Sequence, residues 1–474
     1  MMDTTIILDD IELEYVHLST DSLENLFSTG TSYTIDYETI QEENSPTINE
    51  VLRKVPGIHI KNYGGIGGLK SVSVRGLGGQ HTGVLLNNNL LIDQKSGQVD
   101  LASISTLGIS AIHFNVGSVL DNTSSAKTYA YNNSINFEEN PLAFLKDRKQ
   151  KVIAGLGAGS FSTFNPYLNY FRRTGDSSGV GVIYEGVSSK GNYPYHTGEG
   201  DNIQTHSREH SQYDRHLIKA NWITNTSKHK IQVNGLFRKS DQELPGAVIL
   251  YNPNVGQESS GKQGLIQFSL LNKKGKYKKI YRASLTHNYT SYTDKHYANS
   301  TGGIFNTYQQ SSGFGSAGLT RKVKSFDFFL ITDIEFGTLT TNVINGTPTR
   351  LANYTVLGTK LTKDRFVIEG DLLSTLVRDQ NVKETSSRQK ITGYLGVNYQ
   401  LVRGKDVYVK ASYKSSYRLP SFSDLYYNNI GNKDLVPESS RQINLGVNGV
   451  FNSKWTQQFY YAINGYYGDI DEKI

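Results

Sequence analysis

The sequence is poor in several residue types, and each shortage excludes a class of protein. Among its 474 residues there is no cysteine, so neither a disulfide framework nor a thiolate site can form. It has no run of about 18 apolar residues, the length that a transmembrane helix needs. The opening stretch "MMDTTIILDDIELEYV" has no basic segment and no long apolar core, so it is not a secretory signal peptide. If the protein is exported, we expect its signal to have been removed or to lie upstream.

Charge and composition narrow the class of protein further. The formal net charge is only +6, which gives no strong case for a nucleic-acid partner. The chain instead has 46 glycines, 31 tyrosines and 19 phenylalanines, with a mean hydropathy of −0.44. Glycine favours turns, and aromatic residues favour strands. The composition therefore predicts many strands and turns, with strand surfaces that are half polar.

The first segment, up to about residue 145, has the pattern of a mixed α/β domain. The stretch "SPTINEVLRKVPG" predicts a short helix in which Ile48, Val51 and Leu52 share one face. The stretch "KSVSVRG" alternates between apolar and polar residues and predicts a strand. The stretch "VLLNNNLLID" predicts a hairpin, because asparagine tolerates the left-handed conformations of a tight turn.

From about residue 150 onward, the sequence predicts strand after strand. In "KITGYLGVNYQLV", Ile391, Leu395 and Val397 share one face, and Thr392 and Asn398 lie on the other. A transmembrane β-strand has about 9–11 residues, with one face toward lipid and a polar face toward the lumen. Short connections also alternate with long ones, as in an outer-membrane barrel. A soluble β-sandwich, a propeller or a β-helix adhesin stays open, because alternation alone does not exclude them.

Four motifs resemble those of TonB-dependent outer-membrane receptors. Three resemble the plug domain of that family, in order and in spacing: "VLRKVPGIHI" (51–60), "VSVRG" (72–76) and "VLLNNNLLI" (84–92). The last of these has two asparagines where the family usually has Asp-Gly. The stretch "YRLPSFSDLYYNNIGNKDLVPESSRQ" (417–442) resembles the family's late barrel signature. Its matching residues are Tyr417, Arg418, Pro420, Ser421, Asp424, Leu425, Tyr426, Gly431, Asn432, Leu435, Pro437, Glu438 and Ser439.

The resemblance implies a mixed fold, with a small α/β plug domain inside a large antiparallel transmembrane β-barrel of about 22 strands. We expect an N-terminal segment at 1–24, the plug at 25–145 and the barrel at 146–474. At roughly 20–25 residues for each strand with its connection, the last segment would hold roughly 13–16 strands. The barrel therefore looks incomplete, and the sequence looks truncated at its C-terminus. The long stretch at 418–441 is expected to be an ordered external loop.

The resemblance also implies a receptor that imports a scarce, large ligand across the outer membrane of a Gram-negative bacterium. The ligand would be an iron chelate (siderophore), cobalamin or a similar molecule. The partners would be the energy-coupling protein TonB and outer-membrane lipid, and no cofactor is expected. A passive outer-membrane pore or adhesin, or an oligosaccharide importer of the same family, is the alternative. We expect no enzyme activity, because no paired carboxylates or nucleophile constellation stand out.

By the same resemblance, a Ton box would precede the plug and pair with TonB by strand addition. The candidate residues are Leu8, Asp9, Asp10, Ile11, Glu12, Leu13, Glu14 and Tyr15. Among them, Ile11, Leu13 and Tyr15 alternate, as an extended strand donor requires. An ordinary first strand or a disordered tail would also fit this segment.

Three further residues are candidates for plug function. Gln80 and His81 lie in "GLGGQHT" and would face the ligand from a plug apex, although the glycines there could serve only to permit tight turns. Arg75 is expected to seat the plug by pairing with carboxylates of the barrel wall, because buried charges need partners. A histidine cluster could bind metal or haem, but a solvated external loop is the favoured interpretation, and no metal site is expected. The cluster comprises His196, His206, His210 and His216.

Overall fold

A computed structural model describes most of the chain. The described residues are 26, 28–42, 47–63, 67–119, 122–198, 202–246, 256–297, 302–382, 384–427, 430–451 and 459–474. The candidate Ton box, Leu8 to Tyr15, lies outside them. Among the described helices, none is long and apolar enough to cross a membrane.

The first part of the chain forms a small mixed domain around a five-stranded sheet. Its described strands are β1 (Thr31–Asp36), β2 (Ile58–Tyr63), β3 (Leu69–Val74), β4 (Thr82–Leu86), β5 (Asn89–Leu90), β6 (Ala111–Val116) and β7 (Asn133–Glu138). Its helices are α1 (Tyr37–Glu42), α2 (Ile48–Arg53) and α3 (Pro141–Leu145), with 3-10 turns at Gly79–His81, Leu101–Ser103 and Ala126–Ala130. The sheet has the order β1-β6-β7-β4-β5, in which β4 and β7 run parallel, and β2 pairs with β3 in a separate hairpin.

The core of this domain follows from the sequence pattern. Helix α2 buries Ile48, Val51 and Leu52, the face that the spacing predicts. They pack in one cluster with apolar side chains from the central strands, among them Ile112 and Ile135. Burying such side chains is the main favourable term in folding, at about 25 cal/mol for each Å² of apolar surface.

The predicted hairpin is present between β4 and β5. Asn87 and Asn88 occupy its turn with φ values of 52° and 62°, in the left-handed region that asparagine tolerates. The backbone N–H of Asn88 donates to Oδ1 of Asn136 at 2.8 Å. The departure from Asp-Gly therefore leaves the turn intact.

The rest of the chain is dominated by one antiparallel sheet of 15 strands. Its strands are β8 (Gln150–Gly159), β9 (Thr163–Gly175), β10 (Ser178–Ser189), β13 (Tyr213–Asn225), β14 (His229–Leu244), β15 (Gln257–Asn272), β16 (Lys278–Asp294), β17 (Ile304–Val323), β18 (Phe326–Thr341), β19 (Thr349–Lys363), β20 (Phe366–Asn381), β21 (Glu384–Gln400), β22 (Val407–Arg418), β23 (Glu438–Phe451) and β24 (Phe459–Asp471). The strands pair in chain order, and β10 pairs directly with β13. The connection between β10 and β13 contains a separate small hairpin, β11 (Pro194–Thr197) with β12 (Gln204–Ser207). Across the residues that the structure describes, the sheet is not closed, and β8 and β24 are its edge strands.

Burial alternates along these strands in the sense expected for a barrel in lipid. On β21 the side chains of Ile391 and Leu395 are 63% and 57% exposed, whereas Thr392 and Asn398 are buried. The apolar face therefore points outward, and the polar face points toward the small domain. This is the reverse of a soluble sandwich, whose apolar faces are buried. The period-2 pattern predicted the strands and both of their faces.

The connections differ in length between the two ends of the sheet. At one end lie 190–212, 245–256, 295–303, 342–348 and 419–437, with two short exceptions at 160–162 and 382–383. At the other end lie 176–177, 226–228, 273–277, 324–325, 364–365 and 401–406. We call these the long-connection end and the short-connection end. In outer-membrane barrels, long loops are extracellular and short turns are periplasmic.

The stretch 418–441 largely follows its prediction. Strand β22 ends at Arg418 and β23 begins at Glu438, so a long connection lies between them. Within it a short helix, α4 (Phe422–Tyr426), was not predicted. Ser421 and Asp424 form a capping box at its start, in which each side chain accepts from the backbone N–H of the other residue.

The turn at Asn88 allows a test of the hairpin between β4 and β5. Asn88→Val should lower the free energy of unfolding by about 1–3 kcal/mol, because a β-branched residue strains at positive φ. The matched variant Asn88→Gly should keep the wild-type stability, since glycine adopts this conformation freely and retains the N–H that bonds Asn136. Thermal unfolding in detergent would measure both variants. Equal stability of the two would contradict the left-handed turn.

Candidate functional site

Buried polar pairs join the small domain to the inner wall of the sheet. Nζ of Lys127 lies 2.6 Å from Oε2 of Glu335 on β18. Nζ of Lys219 on β13 contacts the carboxylate of Glu139, and both side chains are at most 5% exposed. Burial lowers the pKa of Lys127, but the charge and hydrogen bond of Glu335, together with Tyr131 and Tyr354, raise that pKa above its usual value. The charges of such pairs stabilise each other because water is excluded.

The start of the small domain is also held by the wall. The side-chain amide of Asn398 donates to the carbonyl oxygens of Leu26 and Ser28 at 2.7 and 2.9 Å. Nζ of Lys410 donates to the Gly30 carbonyl at 3.0 Å. The chain that enters the domain is therefore fastened to β21 and β22.

Arg75 lies at this interface, but among the described residues its contacts are not the carboxylates that the sequence predicted. Its guanidinium donates to Oδ1 of Asn444 on β23 and to the hydroxyl of Thr31 at 3.5 Å. It also lies over the ring of Tyr466 on β24, 4.8 Å from the centroid. Burial lowers the pKa of Arg75, and the nearby tyrosines oppose that effect. An amide oxygen and a ring face partner the cation here without a second charge.

The stretch 417–442, which we call the late motif, contains an interconnected polar cluster. Arg418 and Glu438 are cross-strand partners on β22 and β23, with Nη1 2.6 Å from Oε1. Arg418 also contacts Asp424 of α4 at 3.2 Å. Oε2 of Glu438 lies 2.8 Å from Nε2 of His81, and both side chains are buried. The motif therefore ties two strands, the external helix and the small domain together.

The same helix rests directly on the small domain. The backbone N–H groups of Phe422 and Ser423 donate to the carbonyls of Gln94 and Lys95 at 2.9 and 3.0 Å. The first N–H groups of a helix have no partner within it, so they are free to bond another segment. Arg350 on β19 donates to the Pro420 carbonyl at 2.9 Å, which holds the helix in place.

Two cavities flank the plug segment that carries Gln94 and Lys95. The smaller, of about 80 Å³, is lined by both Gln80 and His81 and lies beside Arg350 and Arg418. The structure therefore brings these two candidate residues to one cavity. Gln80 is partly exposed, whereas His81 is buried against Glu438.

The larger cavity, of about 330 Å³, lies between the small domain and strands β13 to β17. Near the long-connection end it is lined by Tyr308, whose ring lies 4.8 Å from Nζ of Lys95. At its inner end lie Lys219 and Glu139. Nothing in the sequence pattern indicated this cavity, because it forms where two distant segments face each other.

The histidines of the external stretch do not assemble into a metal site. Among the residues that the structure describes, no group of three or more His, Asp or Glu side chains could hold an ion. His196 and His206 lie on the hairpin β11–β12, where each bonds a threonine hydroxyl at 3.0 and 2.8 Å respectively. Their surroundings fit the external-loop interpretation.

Comparison with known proteins identifies the family. Residues 25–124 match the model of the TonB-dependent receptor plug domain, and residues 147–474 match that of the TonB-dependent receptor-like β-barrel. The chain therefore belongs to the TonB-dependent receptors, which are outer-membrane import receptors. The small domain is the plug, and the open sheet is the barrel part.

Solved structures of other receptors share this fold at low sequence identity. The FrpB iron transporter from Neisseria meningitidis (F5-1 variant) is 13% identical, with a TM-score of 0.73 over 93% of this chain and 72% of that one. The copper transporter OprC is 13% identical, with a TM-score of 0.70 over 93% and 71%. The ferric yersiniabactin uptake receptor FyuA from Yersinia pestis is 12% identical, with a TM-score of 0.63 over 89% and 70%. These likenesses support the fold.

Because α4 rests on the plug, two introduced cysteines should form a disulfide between them. The natural chain has no cysteine that could interfere. A Cβ on Gly97 would lie 3.6 Å from Cβ of Ser421, within the range of about 3.5–4.5 Å found in disulfides. The double variant Gly97→Cys/Ser421→Cys should lose both free thiols under mild oxidation and regain them with reductant. Maleimide adducts counted by mass spectrometry would show this.

Either single variant serves as the control and should keep one reactive thiol throughout. Gly97 has a φ of 74°, at which cysteine is strained, so the Gly97→Cys variant must first keep the wild-type unfolding temperature. Two free thiols in the oxidised double variant would then mean that the external helix does not rest on the plug.

Proposed function

We propose that this receptor actively imports a scarce iron chelate (siderophore), cobalamin or a similar ligand. The observation that supports this best is the plug itself, which the barrel wall holds through buried polar pairs beneath two cavities. A passive pore or an adhesin needs no such plug. These pairs are polar, so water can replace their bonds when the plug is displaced.

The ligand would bind at the long-connection end, which faces outward in this family. We propose Gln80 and His81 as contacts there, since both line the smaller cavity. Gln80 would touch the ligand directly, and His81 would respond through its contact with Glu438. Arg75 would seat the plug against β23 through Asn444.

The energy source would be TonB, which would pair with the Ton box at Leu8–Tyr15 by strand addition. Outer-membrane lipid would contact the outward apolar face of the sheet, and the cell would be that of a Gram-negative bacterium. We place the boundary between plug and barrel at 145–146, between the end of α3 at Leu145 and the start of β8 at Gln150.

The ligand class is proposed from the relatives. The receptors of similar structure include a copper transporter, an iron transporter and a receptor for ferric yersiniabactin. Metal chelates are therefore the first ligands to test. An oligosaccharide is the alternative, because loops carry specificity and vary more than the scaffold.

Deleting residues 8–16 should separate binding from transport. Cells that carry this deletion should bind the ligand as before but lose energy-dependent uptake, because TonB no longer has a strand to pair with. Uptake would be measured with radiolabelled ferric hydroxamate, catecholate and carboxylate chelates and with labelled cyanocobalamin, with and without a protonophore.

The conservative variant Ile11→Val/Leu13→Val keeps an extended apolar strand and should keep uptake. Uptake that survives the deletion unchanged would rule out this segment as the Ton box. Probes taken up equally with and without the protonophore would favour the passive pore.

A further inference from the structure

The larger cavity ends at a buried ion pair between plug and barrel. It extends from Thr290 and Tyr308, which are partly exposed, to Lys219 and Glu139. Nζ of Lys219 contacts Oε1 of Glu139 and also donates to the Leu107 carbonyl at 2.6 Å. The side chains of the pair are 5% and 3% exposed. Glu139 directly follows the last strand of the plug sheet, so the pair links that end of the plug to β13.

A row of polar side chains lies immediately beyond this pair. In the strand register Asn221 faces Asn234, Asn234 faces Gln267, and Gln267 faces Ser284. All four are buried inside the sheet. Asn221 comes two positions after Lys219 on β13, toward the short-connection end. The row therefore continues the line of the cavity inward.

The amides of this row are incompletely bonded. Asn221 donates to Oε2 of Glu139 at 3.4 Å, and Oδ1 of Asn234 accepts from Nδ2 of Asn87 in the plug at 3.0 Å. Among the described residues, Nε2 and Oε1 of Gln267, Nδ2 of Asn234 and Oδ1 of Asn221 have no hydrogen-bond partner. Buried polar atoms are normally bonded to protein or to water. Since several such atoms lie side by side, bound water can satisfy them together. This wall is therefore suited to hydration.

We propose that the imported solute follows a polar route along β13 to β16, and that the Glu139–Lys219 pair is its gate. The inference rests on the proposed import function. On one side of the gate lies the cavity, and on the other lies the amide row. Neutral amides and a hydroxyl can exchange hydrogen bonds with a hydrophilic solute without holding it as tightly as charges would. Movement of Glu139 away from Lys219 would join the two compartments.

A second ion pair of the same kind shows why the route follows this wall. Lys127 and Glu335 also join plug and barrel, at 2.6 Å. Toward the short-connection end from that pair, Phe329 and Ile331 of the wall pack with Tyr129 of the plug in a buried apolar cluster. Apolar packing leaves no bonds for water or a polar solute. Breaking this pair would loosen the plug without opening a polar route.

The chain has no cysteine, so a single introduced thiol reports on the row. Ser284→Cys places a thiol of similar size beyond the gate, where the wild-type side chain is 5% exposed. Cells that express this variant would be treated with a small, membrane-impermeant methanethiosulfonate. In a Glu139→Gln background, labelling should become roughly tenfold faster, because one charge of the gate is lost. Lys219→Met, which removes the other charge, should give the same result.

The matched control is Ser284→Cys with Glu335→Gln, which weakens the other pair and should leave labelling slow. Equal acceleration in both backgrounds would mean general loosening of the plug and would overturn the proposal. No acceleration in either gate variant would overturn it as well. Labelling requires neither ligand nor TonB. If the receptor imported nothing, the uptake test with the 8–16 deletion would fail, but the thiol labelling would still report on the gate.

Discussion

The structure depends on one constraint, which is that the inner wall of the sheet is polar and must find partners. Outward side chains such as Leu395 are apolar because lipid offers no hydrogen bonds, and strict alternation then places polar residues such as Asn398 inside. The plug supplies many of their partners. Its charged groups meet charges on β13 and β18, and its backbone carbonyls meet side chains on β21 and β22. Barrel and plug therefore stabilise each other.

The late motif shows how a sequence signature can encode an interface. Arg418 and Glu438 are separated in sequence by a long connection, yet they are direct cross-strand partners. Pro420 presents its carbonyl to Arg350, and the capped helix that follows turns its free N–H groups to the plug. These residues of the motif thus fix the loop either to the rim of the sheet or to the plug. What looked like an interruption between strands is a folded contact between the external surface and the plug.

Local features of the fold could be predicted from the sequence, whereas the contacts between plug and barrel could not. Period-2 alternation predicted β21 with both of its faces, and the asparagine pair predicted the turn after β4. The partner of Arg75 is Asn444, hundreds of residues away, and no local pattern indicates which inward residue a plug side chain will meet. The same holds for Gln267, because a strand's own alternation does not reveal which residues of its neighbours stand beside it.

The chemistry of this interface also explains how a plug can be stable and yet removable. An apolar interface would lose its full hydrophobic stabilisation if water entered, at about 25 cal/mol for each Å² exposed. A hydrogen bond exchanged for one with water loses only about 0.5–1.5 kcal/mol. The wall near Lys219 and Asn234 combines both kinds, because Leu236 and Leu265 beside them pack on the plug core, whereas the wall near Phe329 is of the first kind. Displacement should therefore be easiest along β13 to β16, while the apolar side keeps the rest of the plug in place.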